Sequence, residues 1–421
     1  MSRRVHVIGA GMAGLAAASA LAERGERVVL HEAARFAGGR CRSYHDATLG
    51  CRIDNGNHVL AAGNHAAMKY LARIGAAETL TGPERAVFPF IDLVSGASWA
   101  LRLNNSRVPF WIFRDKCRVP GSRLRDYVQL RRLDRAGPED RVAALMGDVE
   151  ALYDRLVEPL AIAALNTKAD QGSAALLGAV LRETIGRGGA AAIPRFPKVG
   201  LSESLVDPAL AYLRARGAEL RFGARIAALE VADGVITRLS GPNSDEIMRA
   251  GDRVIMAAPP WVAADLLPGL VVPDQHEAIL NLHFRAGIPP GPAGFYALLG
   301  GAAEWVFEKN EVVSVTISAA NDRVEDDAEA LALEVWSDLR RAFGLPRNLP
   351  AYRVVKEKRA TFAATPAQIL RRPGVAPVIE GRVIGNLGLA GDYTATGLPA
   401  TIEGAIRSGE AAARAISRDA G

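Results

Sequence analysis

The stretch that decides the fold stands near the start of the chain, where residues 4–39 read RVHVIGAGMAGLAAASALAERGERVVLHEAARFAGG. A short apolar strand runs into Gly9-Ala10-Gly11-Met12-Ala13-Gly14, a G-x-G-x-x-G placed where a strand gives way to a helix. Gly9 permits the tight turn, Gly11 lets a pyrophosphate approach the backbone, and Gly14 allows close packing of the helix on the strand. The free N–H groups of the helix N-terminus add a positive dipole. This stretch therefore predicts a cradle for the phosphates of a dinucleotide.

The residues that follow make this cradle more specific than an isolated glycine motif. The second strand stops at Glu32 and Ala33, where a carboxylate can accept hydrogen bonds from a ribose diol. Gly38-Gly39-Arg40 then supplies two flexible residues and a guanidinium that can neutralise the same pyrophosphate. A nicotinamide Rossmann unit does not need this second glycine pair. Glycines that only pack, or a signal peptide, are alternatives that the continuous strand-helix-strand pattern opposes.

Composition limits the kind of protein. With 421 residues and 49% hydrophobic content, the chain is long enough for two or three domains with substantial cores. The net charge is +5, but no DNA- or RNA-binding motif is present, so nucleic acid binding is not expected. The 3 cysteines lack disulfide or zinc spacing, which favours a reducing cytoplasm and no metal site. No uncharged apolar run reaches the roughly 18 residues that span a bilayer.

A dense polar cluster, Asp54-Asn55-Gly56-Asn57-His58, follows a predicted hairpin over residues 43–53. Asn55-Gly56 is a turn signal, and the simplest interpretation of the cluster is a turn alone. The alternative is a loop beside a redox ring, in which Gly56 admits the ring and His58 or Asp54 is available for proton transfer. Both interpretations are consistent with the sequence.

The middle of the chain predicts a hydrophobic cavity and a basic surface. Helical patterns over residues 138–165 and 174–185 are apolar enough to form one wall of a cavity. Residues 102–135 hold ten basic residues against three acidic ones, around an aromatic group at 110–113. Interleaved rings and cations are typical of a peripheral membrane contact, although a solvated face over an ordinary core explains them equally well.

The C-terminal region carries the second strong signal. A predicted strand ends in Gly391-Asp392-Tyr393, and a helix is predicted over Ala400–Ile416 with Pro399 in its first turn. Small residues along this helix would allow a neighbouring element to pack closely against it. Its N-terminal residues, Pro399, Ala400 and Ile402, would direct a positive dipole at whatever lies in front of them. An ordinary Gly-Asp turn before a terminal helix is the weaker interpretation.

Together these motifs resemble the flavin amine oxidase and carotenoid desaturase superfamily over the whole chain. The resemblance implies FAD, bound non-covalently. It also implies that Glu32 holds the adenosine ribose, that Asp392 lies by the ribityl and pyrophosphate groups, and that the strand near Arg225-Ile226 lies by the adenine. The N-terminus of the last helix would then favour the negative charge of a reduced flavin.

Two stretches resemble, within that superfamily, the hydroxysqualene dehydroxylase family: IDNGNHVL at residues 53–60 and TGLPATIEGAIRSG at residues 396–409. This resemblance implies reductive removal of the hydroxyl of hydroxysqualene, a hydrophobic isoprenoid, to give squalene in bacterial squalene and hopanoid synthesis. A carotenoid or phytoene-type desaturase, an amine oxidase and a flavoprotein scaffold without activity are the alternatives. The sequence indicates no electron donor.

The sequence thus predicts an α/β, amine-oxidase-like protein with a discontinuous Rossmann-like FAD-binding domain and an inserted α+β substrate domain. The predicted FAD-binding domain spans residues 1–75, 200–262 and 380–421, and the substrate domain spans residues 76–199 and 263–379. Asn55, Gly56 and Asn57 are expected beside the flavin. His58 is the first candidate for the proton donor, with Asp54 and Tyr393 as further catalytic candidates. We expect a cytoplasmic protein with peripheral contact at the inner face of the cell membrane.

Overall fold

The computed structural model describes residues 3–289 and 291–418. The α-helices are Met12–Glu23, His65–Arg73, Leu124–Gln129, Arg131–Asp134, Val142–Met146, Glu150–Leu152, Glu158–Leu165, Ala174–Glu183, Gly189–Ala192, Asp207–Ala215, Pro260–Leu266, Ala328–Phe343, Pro366–Leu370 and Ile402–Arg418. The strands are Arg4–Ile8, Arg27–Glu32, Ser43–Asp46, Cys51–Asp54, Leu60–Ala61, Leu80–Thr81, Val87–Asp92, Ser98–Arg102, Pro194–Pro197, Glu219–Phe222, Ala228–Ala232, Val235–Gly241, Ser244–Ile247, Arg253–Met256, His276–Arg285, Phe295–Leu299, Trp305–Lys309, Val312–Ile317, Tyr352–Phe362, Val378–Ile379, Arg382–Val383 and Leu387–Leu389.

Parallel strands form a first sheet, called here the nucleotide sheet. Its strand order is Glu219–Phe222, Arg27–Glu32, Arg4–Ile8, Arg253–Met256 and Leu387–Leu389. The central strand is buried, as expected of a parallel sheet covered on its faces by other elements. The first and last helices of the described chain pack very closely, because a Cβ atom at Gly409 would collide with the carbonyl oxygen of Ala13.

A second sheet, called here the large sheet, is mostly antiparallel. Its strand order is Tyr352–Phe362, His276–Arg285, Val312–Ile317, Trp305–Lys309, Phe295–Leu299, Val87–Asp92 and Ser98–Arg102. One face carries Leu282, Val313 and Val315, which pack in one buried cluster with Val335 and Trp336 of the helix Ala328–Phe343. Because successive side chains of a strand point to opposite faces of a sheet, the intervening residues of these strands lie on the opposite face.

That opposite face belongs to a second buried cluster, which includes the helices between residues 124 and 192. Phe90 and Leu101 of the large sheet share this cluster with Leu133, Met146 and Leu177 of the helices. The predicted helical wall therefore packs on this opposite face, which is called here the inner face of the large sheet. Among the residues that the structure describes, no helix combines the length and apolar character needed to cross a bilayer.

Several element boundaries differ from the sequence prediction for local reasons. The last helix begins at Ile402 instead of Ala400, because the Thr401 hydroxyl accepts the N–H of Gly404 and caps the helix. Pro399 therefore precedes the helix. The predicted helix over residues 138–165 is divided into short helices with a π-helical turn at Tyr153–Val157, directly before the segment that contains Pro159. The division of the chain into two domains stays a prediction.

Candidate active site

The three glycines of the predicted cradle have local geometries that are compatible with their predicted roles. Gly9 has φ +106°, and a Cβ atom there would lie 2.6 Å from the carbonyl oxygen of Ala257. A Cβ atom at Gly14 would collide with the carbonyl oxygen of Gly9, so the helix packs directly on the turn. At Gly11, by contrast, a Cβ atom would meet no heavy atom of the described residues within 4 Å, apart from the adjoining backbone and its immediate chain neighbours. Gly11 therefore borders open space, as the approach of a pyrophosphate requires.

The second glycine loop lies against the first. Gly39 has φ +58°, and a Cβ atom there would lie 3.5 Å from the Cα atom of Gly11. The backbone N–H of Gly38 donates to the carbonyl oxygen of Ala10 at 2.8 Å. Backbone from both loops thus borders the same space, and this fits a dinucleotide whose phosphates need close backbone contact.

Glu32 stands at the end of its strand with a fixed carboxylate. Its two oxygen atoms accept hydrogen bonds of 2.8 Å from the backbone N–H groups of Ala10 and Ala34. A carboxylate has about four lone-pair sites, so both oxygens keep capacity for a ribose diol. Ala33 is exposed beside it. This geometry fits the predicted adenosine end of the cofactor.

An ion pair joins the Gly38-Gly39-Arg40 loop to the Gly391-Asp392 turn. Nη2 of Arg40 lies 2.7 Å from Oδ2 of Asp392, and Arg40 also donates to the carbonyl oxygen of Ala360. Asp392 is buried, whereas 42% of the Arg40 side chain is accessible. A guanidinium has five N–H donors, so Arg40 retains donors for a phosphate.

Arg372 is a buried residue that the sequence prediction missed. It donates to the carbonyl oxygens of Asp392, Tyr393 and Thr394 and to the Thr396 hydroxyl. Burial lowers the pKa of its guanidinium to about 10, so the group stays charged at neutral pH. Arg372 therefore fixes the turn that carries Asp392. One arginine among 51 basic residues gives no sequence signal for such a role.

The other predicted cofactor residues follow strands of the nucleotide sheet along the chain. Met12 and Ala13 begin the first helix and are buried, and Ile402 begins the last helix. Pro399 and Ala400 lie in the segment before it, and Ile226 is buried after the strand Glu219–Phe222 instead of within a strand. A second residue that was missed joins the last helix to the helix His65–Arg73: the buried carboxylate of Glu403 accepts the N–H groups of Ala66 and Ala67.

The polar loop after the strand Cys51–Asp54 is held by the inner face of the large sheet. Nδ2 of Asn281 donates to the carbonyl oxygen of Asn55 at 3.4 Å, and the Thr316 hydroxyl donates to Oδ1 of Asn281 at 2.9 Å. Nδ2 of Asn57 in turn donates to the Thr316 hydroxyl at 3.0 Å. A Cβ atom at Gly56 would lie 3.0 Å from Asn281, so the glycine permits this close contact. The loop is therefore an organised element rather than a free turn.

Asp54 anchors the base of this loop. Its Oδ1 accepts hydrogen bonds from the Ser43 hydroxyl at 2.6 Å and the Leu201 N–H at 2.9 Å, and its Oδ2 lies 3.2 Å from Nζ of Lys309. Both carboxylate oxygens are engaged. This geometry favours a positioning role over the proton transfer that the sequence prediction allowed.

His58 lines a cavity of about 240 Å³, together with Asn57, Ser314, Phe196 and Phe307. Burial lowers the pKa of the imidazole to about 4. His58 is therefore neutral at pH 7. A neutral imidazole can donate an N–H hydrogen bond into the cavity, but it does not hold a readily dissociated proton.

Tyr393 is separate from this cavity. The side chain is 1% exposed, and its hydroxyl has no hydrogen-bond partner among the described residues. Burial raises the pKa of the phenol above its ordinary value. The ring packs against Gly391, where a Cβ atom would collide with it. The structure therefore brings Asp54 and His58 together but leaves Tyr393 outside the cavity lining.

Aromatic rings cover much of the inner face of the large sheet. Phe90 stacks on Trp99 with ring centres 5.4 Å apart. The ring of Phe295 lies 5.9 Å from that of Trp305 and 5.8 Å from that of Phe307, which lines the cavity. The cavity lining combines the rings of Phe196 and Phe307 with polar and charged side chains, among them Lys198, Glu308 and Lys309. Its apolar part is suited to a hydrophobic ligand, and its rings tolerate a developing cation.

The family model for flavin containing amine oxidoreductases matches residues 12–288 and 298–417. The chain therefore belongs to this family of flavin-dependent enzymes, and the predicted FAD cofactor is confirmed. Solved structures agree on the fold: cyclohexylamine oxidase from Brevibacterium oxydans has a TM-score of 0.73 at 17% identity and covers 100% of this chain and 99% of its own. The predicted α/β, amine-oxidase-like fold is thus confirmed.

More similar relatives place the chain within that family. It is 48% identical over 414 residues to the hydroxysqualene dehydroxylase of Rhodopseudomonas palustris, which covers 98% of each chain. The enzyme of the same name from Zymomonas mobilis is 43% identical and covers 97% of each chain, and that of Sinorhizobium fredii is 42% identical and covers 98%. The resemblance to the hydroxysqualene dehydroxylases is confirmed, and the chain is a member of that group.

Proposed function

We propose that this protein removes the hydroxyl group of hydroxysqualene reductively and yields squalene, with FAD as its cofactor. The observation that carries the proposal is 48% identity over almost the whole chain to a hydroxysqualene dehydroxylase. The cavity at His58 is consistent with it, because its lining includes apolar side chains, such as Phe196, Phe307 and Leu201, that can contact an isoprenoid, and polar ones that can contact a hydroxyl.

When bound and reduced, FAD would supply the hydride that replaces the hydroxyl. The residues that we propose to hold it are Gly9, Gly11, Met12, Ala13, Gly14, Glu32, Ala33, Gly38, Gly39, Arg40, Asn55, Gly56, Asn57, Ile226, Gly391, Asp392, Pro399, Ala400 and Ile402. The ion pair between Arg40 and Asp392 links the two loops of this set, and Arg372 holds the second loop in place.

The departure of the hydroxyl needs hydrogen-bond donation and a site from which water is excluded. His58 lies in the cavity lining and is neutral, so we propose that it donates an N–H hydrogen bond to the departing oxygen. The oxygen leaves as water, with one proton taken up from solvent for each hydride transferred. Asp54 would position the loop that carries His58. The rings of Phe196 and Phe307 would stabilise positive charge at the carbinol carbon. Tyr393 stays the alternative donor, although the cavity lining does not support it.

We further propose that the protein takes its substrate at a membrane surface. Phe110 and Phe113 are 60% and 65% exposed, whereas Trp111 between them is buried against Tyr127 with ring centres 5.2 Å apart. The buried tryptophan thus fixes a turn that presents two phenylalanines to the outside. The same segment of the chain carries exposed cations, which suit contact with anionic lipid: Arg107, Arg114, Lys116, Arg123 and Arg125.

The experiment that tests the function is anaerobic incubation of the chemically reduced holoprotein with hydroxysqualene, followed by product analysis. We expect squalene. Parallel incubations of the oxidised protein with phytoene and with a primary amine test the alternative activities. Reduction of the flavin by phytoene or by the amine, without squalene formation from hydroxysqualene, would assign the protein to a desaturase or an amine oxidase instead.

A further inference from the structure

Two pairs of polar residues lie side by side on the inner face of the large sheet. They lie on two adjacent strands, where Asn281 is paired in register with Thr316 and His283 with Ser314. Asn281 and His283 are almost fully buried. Because a buried polar group without a partner is costly, each of these side chains needs a specific partner.

The side chains of the first pair have hydrogen-bond partners within the protein. Asn281 and Thr316 bond each other and the polar loop through Asn55 and Asn57. This pair therefore has a structural task, because it positions the loop that carries His58.

One residue of the second pair, Ser314, reaches the cavity, and His283 lies behind it. The Ser314 hydroxyl lies 2.7 Å from Nδ1 of His283, and Ser314 lines the same cavity as His58 and Phe307. His283 is 1% exposed, and burial lowers the pKa of its imidazole to about 4. A hydroxyl can donate one hydrogen bond and accept two, so Ser314 keeps capacity for a ligand after its bond to His283.

We propose that Ser314, oriented by His283, forms a hydrogen bond with the hydroxyl of the isoprenoid alcohol and makes the cavity select an alcohol over the corresponding hydrocarbon. This inference rests on the proposed function. Ser314 is then a substrate-binding residue, and His283 is a positioning residue that acts through it. Loss of the substrate hydroxyl during the reaction removes this bond, so squalene is held less firmly than hydroxysqualene and is released.

The test compares the dissociation constants of hydroxysqualene and squalene, measured through the absorbance change of the bound oxidised flavin. In the unaltered protein, hydroxysqualene should bind about tenfold more tightly than squalene, which corresponds to one buried hydrogen bond. Ser314→Ala should remove most of this preference by weakening only the binding of hydroxysqualene. Ser314→Thr should preserve it, because the hydroxyl remains.

His283 is tested by two substitutions that differ in hydrogen bonding. His283→Asn keeps a polar atom near the position of Nδ1 and should retain the preference, whereas His283→Leu should lose it. Ser318→Ala, at the position directly after the same strand and outside the cavity lining, is the matched control and should change neither constant. Flavin content and thermal unfolding of each variant show whether it is folded.

An unchanged preference in folded Ser314→Ala, or its loss in folded Ser318→Ala alone, would overturn the inference. If Ser314→Ala does not retain flavin, the contrast between His283→Asn and His283→Leu decides instead, and equal preferences in the two would overturn the inference. A protein that shows the binding preference but forms no squalene would contradict the proposed function and leave the alcohol-selective contact in place.

Discussion

The guanidinium of Arg40 lies 2.7 Å from the carboxylate of Asp392, although 352 positions separate the two residues in the sequence. The pair joins the glycine loop of the first strand-helix unit to the turn before the last helix. Because much of the Arg40 side chain is accessible, solvent screens the pair, and it contributes at most about 1 kcal/mol to folding stability. Its importance should therefore lie in cofactor binding.

Replacement of Asp392 by Ala should weaken FAD binding at least tenfold, because the turn loses its link to Arg40 and a hydrogen-bonding group near the cofactor. Unfolding of the apoprotein should change by only about 1 kcal/mol. Titration of apoprotein with FAD, together with urea unfolding, checks both parts. A large loss of apoprotein stability with unchanged FAD affinity would show that the residue is structural.

Gly11→Val should give a folded protein without FAD. A Cβ atom at Gly11 meets open space, so the side chain can be accommodated only by filling the room expected for the pyrophosphate. The flavin content of the purified variant is the measurement. Gly287→Val is the control, because Gly287 also borders open space but lies outside the cradle. A full flavin spectrum in Gly11→Val would show that the cradle assignment is wrong.

Arg372→Met should destabilise the protein by roughly 3 kcal/mol, because several buried carbonyl oxygens lose a charged donor. Arg372→Lys should recover only part of this loss, since an ammonium group cannot reproduce the fork of the guanidinium. Urea unfolding of the apoprotein measures both. If Lys restores full stability, the geometry of the guanidinium is unimportant.

The protein should lose stability as the pH falls from about 6.5 to about 4. His6 and His31 are buried with Nδ1 and Nε2 3.1 Å apart, and burial lowers the pKa of each to about 4. Between these pH values the unfolded chain binds protons that the folded chain does not. The folding stability that the two neutral histidines contribute is therefore complete above about pH 6.5 and is lost as the pH falls toward 4. A double variant, His6→Asn with His31→Gln, should show a smaller slope in urea unfolding over this range. An unchanged slope would exclude the pair as its source.

The double variant Phe110→Ser and Phe113→Ser should lower binding to anionic liposomes, because it removes the two exposed rings. Higher salt should lower binding of the unaltered protein, since the same segment carries several exposed cations. Co-flotation with liposomes measures both effects. Leu333→Ser, at a similarly exposed position on another helix, is the control. Equal flotation of the double variant and the control would exclude this surface as the contact.

The local geometry of the glycine motif was predictable from the sequence, because the turn at Gly9 and the close helix packing at Gly14 lie within one strand-turn-helix unit. Its role as a phosphate cradle stays a prediction. The helix Ala328–Phe343 was predictable to the residue, because its apolar period and terminal Gly344 are local signals. The start of the last helix was wrong by two residues, because Thr401 rather than Pro399 determines it.

The residues that position the site were not predictable in the same way. Asn281 and Thr316 reach the polar loop only through the folding of the large sheet, so nothing near them in sequence indicates the contact. Arg372 likewise reaches the turn at Asp392 only through the tertiary fold. The engagement of Asp54 with Ser43, Leu201 and Lys309 likewise depends on tertiary structure, and it changes the expected role of that carboxylate.

The most direct test of the central claim is a single turnover of the reduced holoprotein with hydroxysqualene in the absence of oxygen. Flavin absorbance and squalene are measured over time. The proposed function predicts that squalene forms in a stoichiometric amount as the flavin becomes oxidised, and that His58→Ala slows both processes about a hundredfold without loss of FAD. Flavin that stays reduced while hydroxysqualene is recovered unchanged would contradict it.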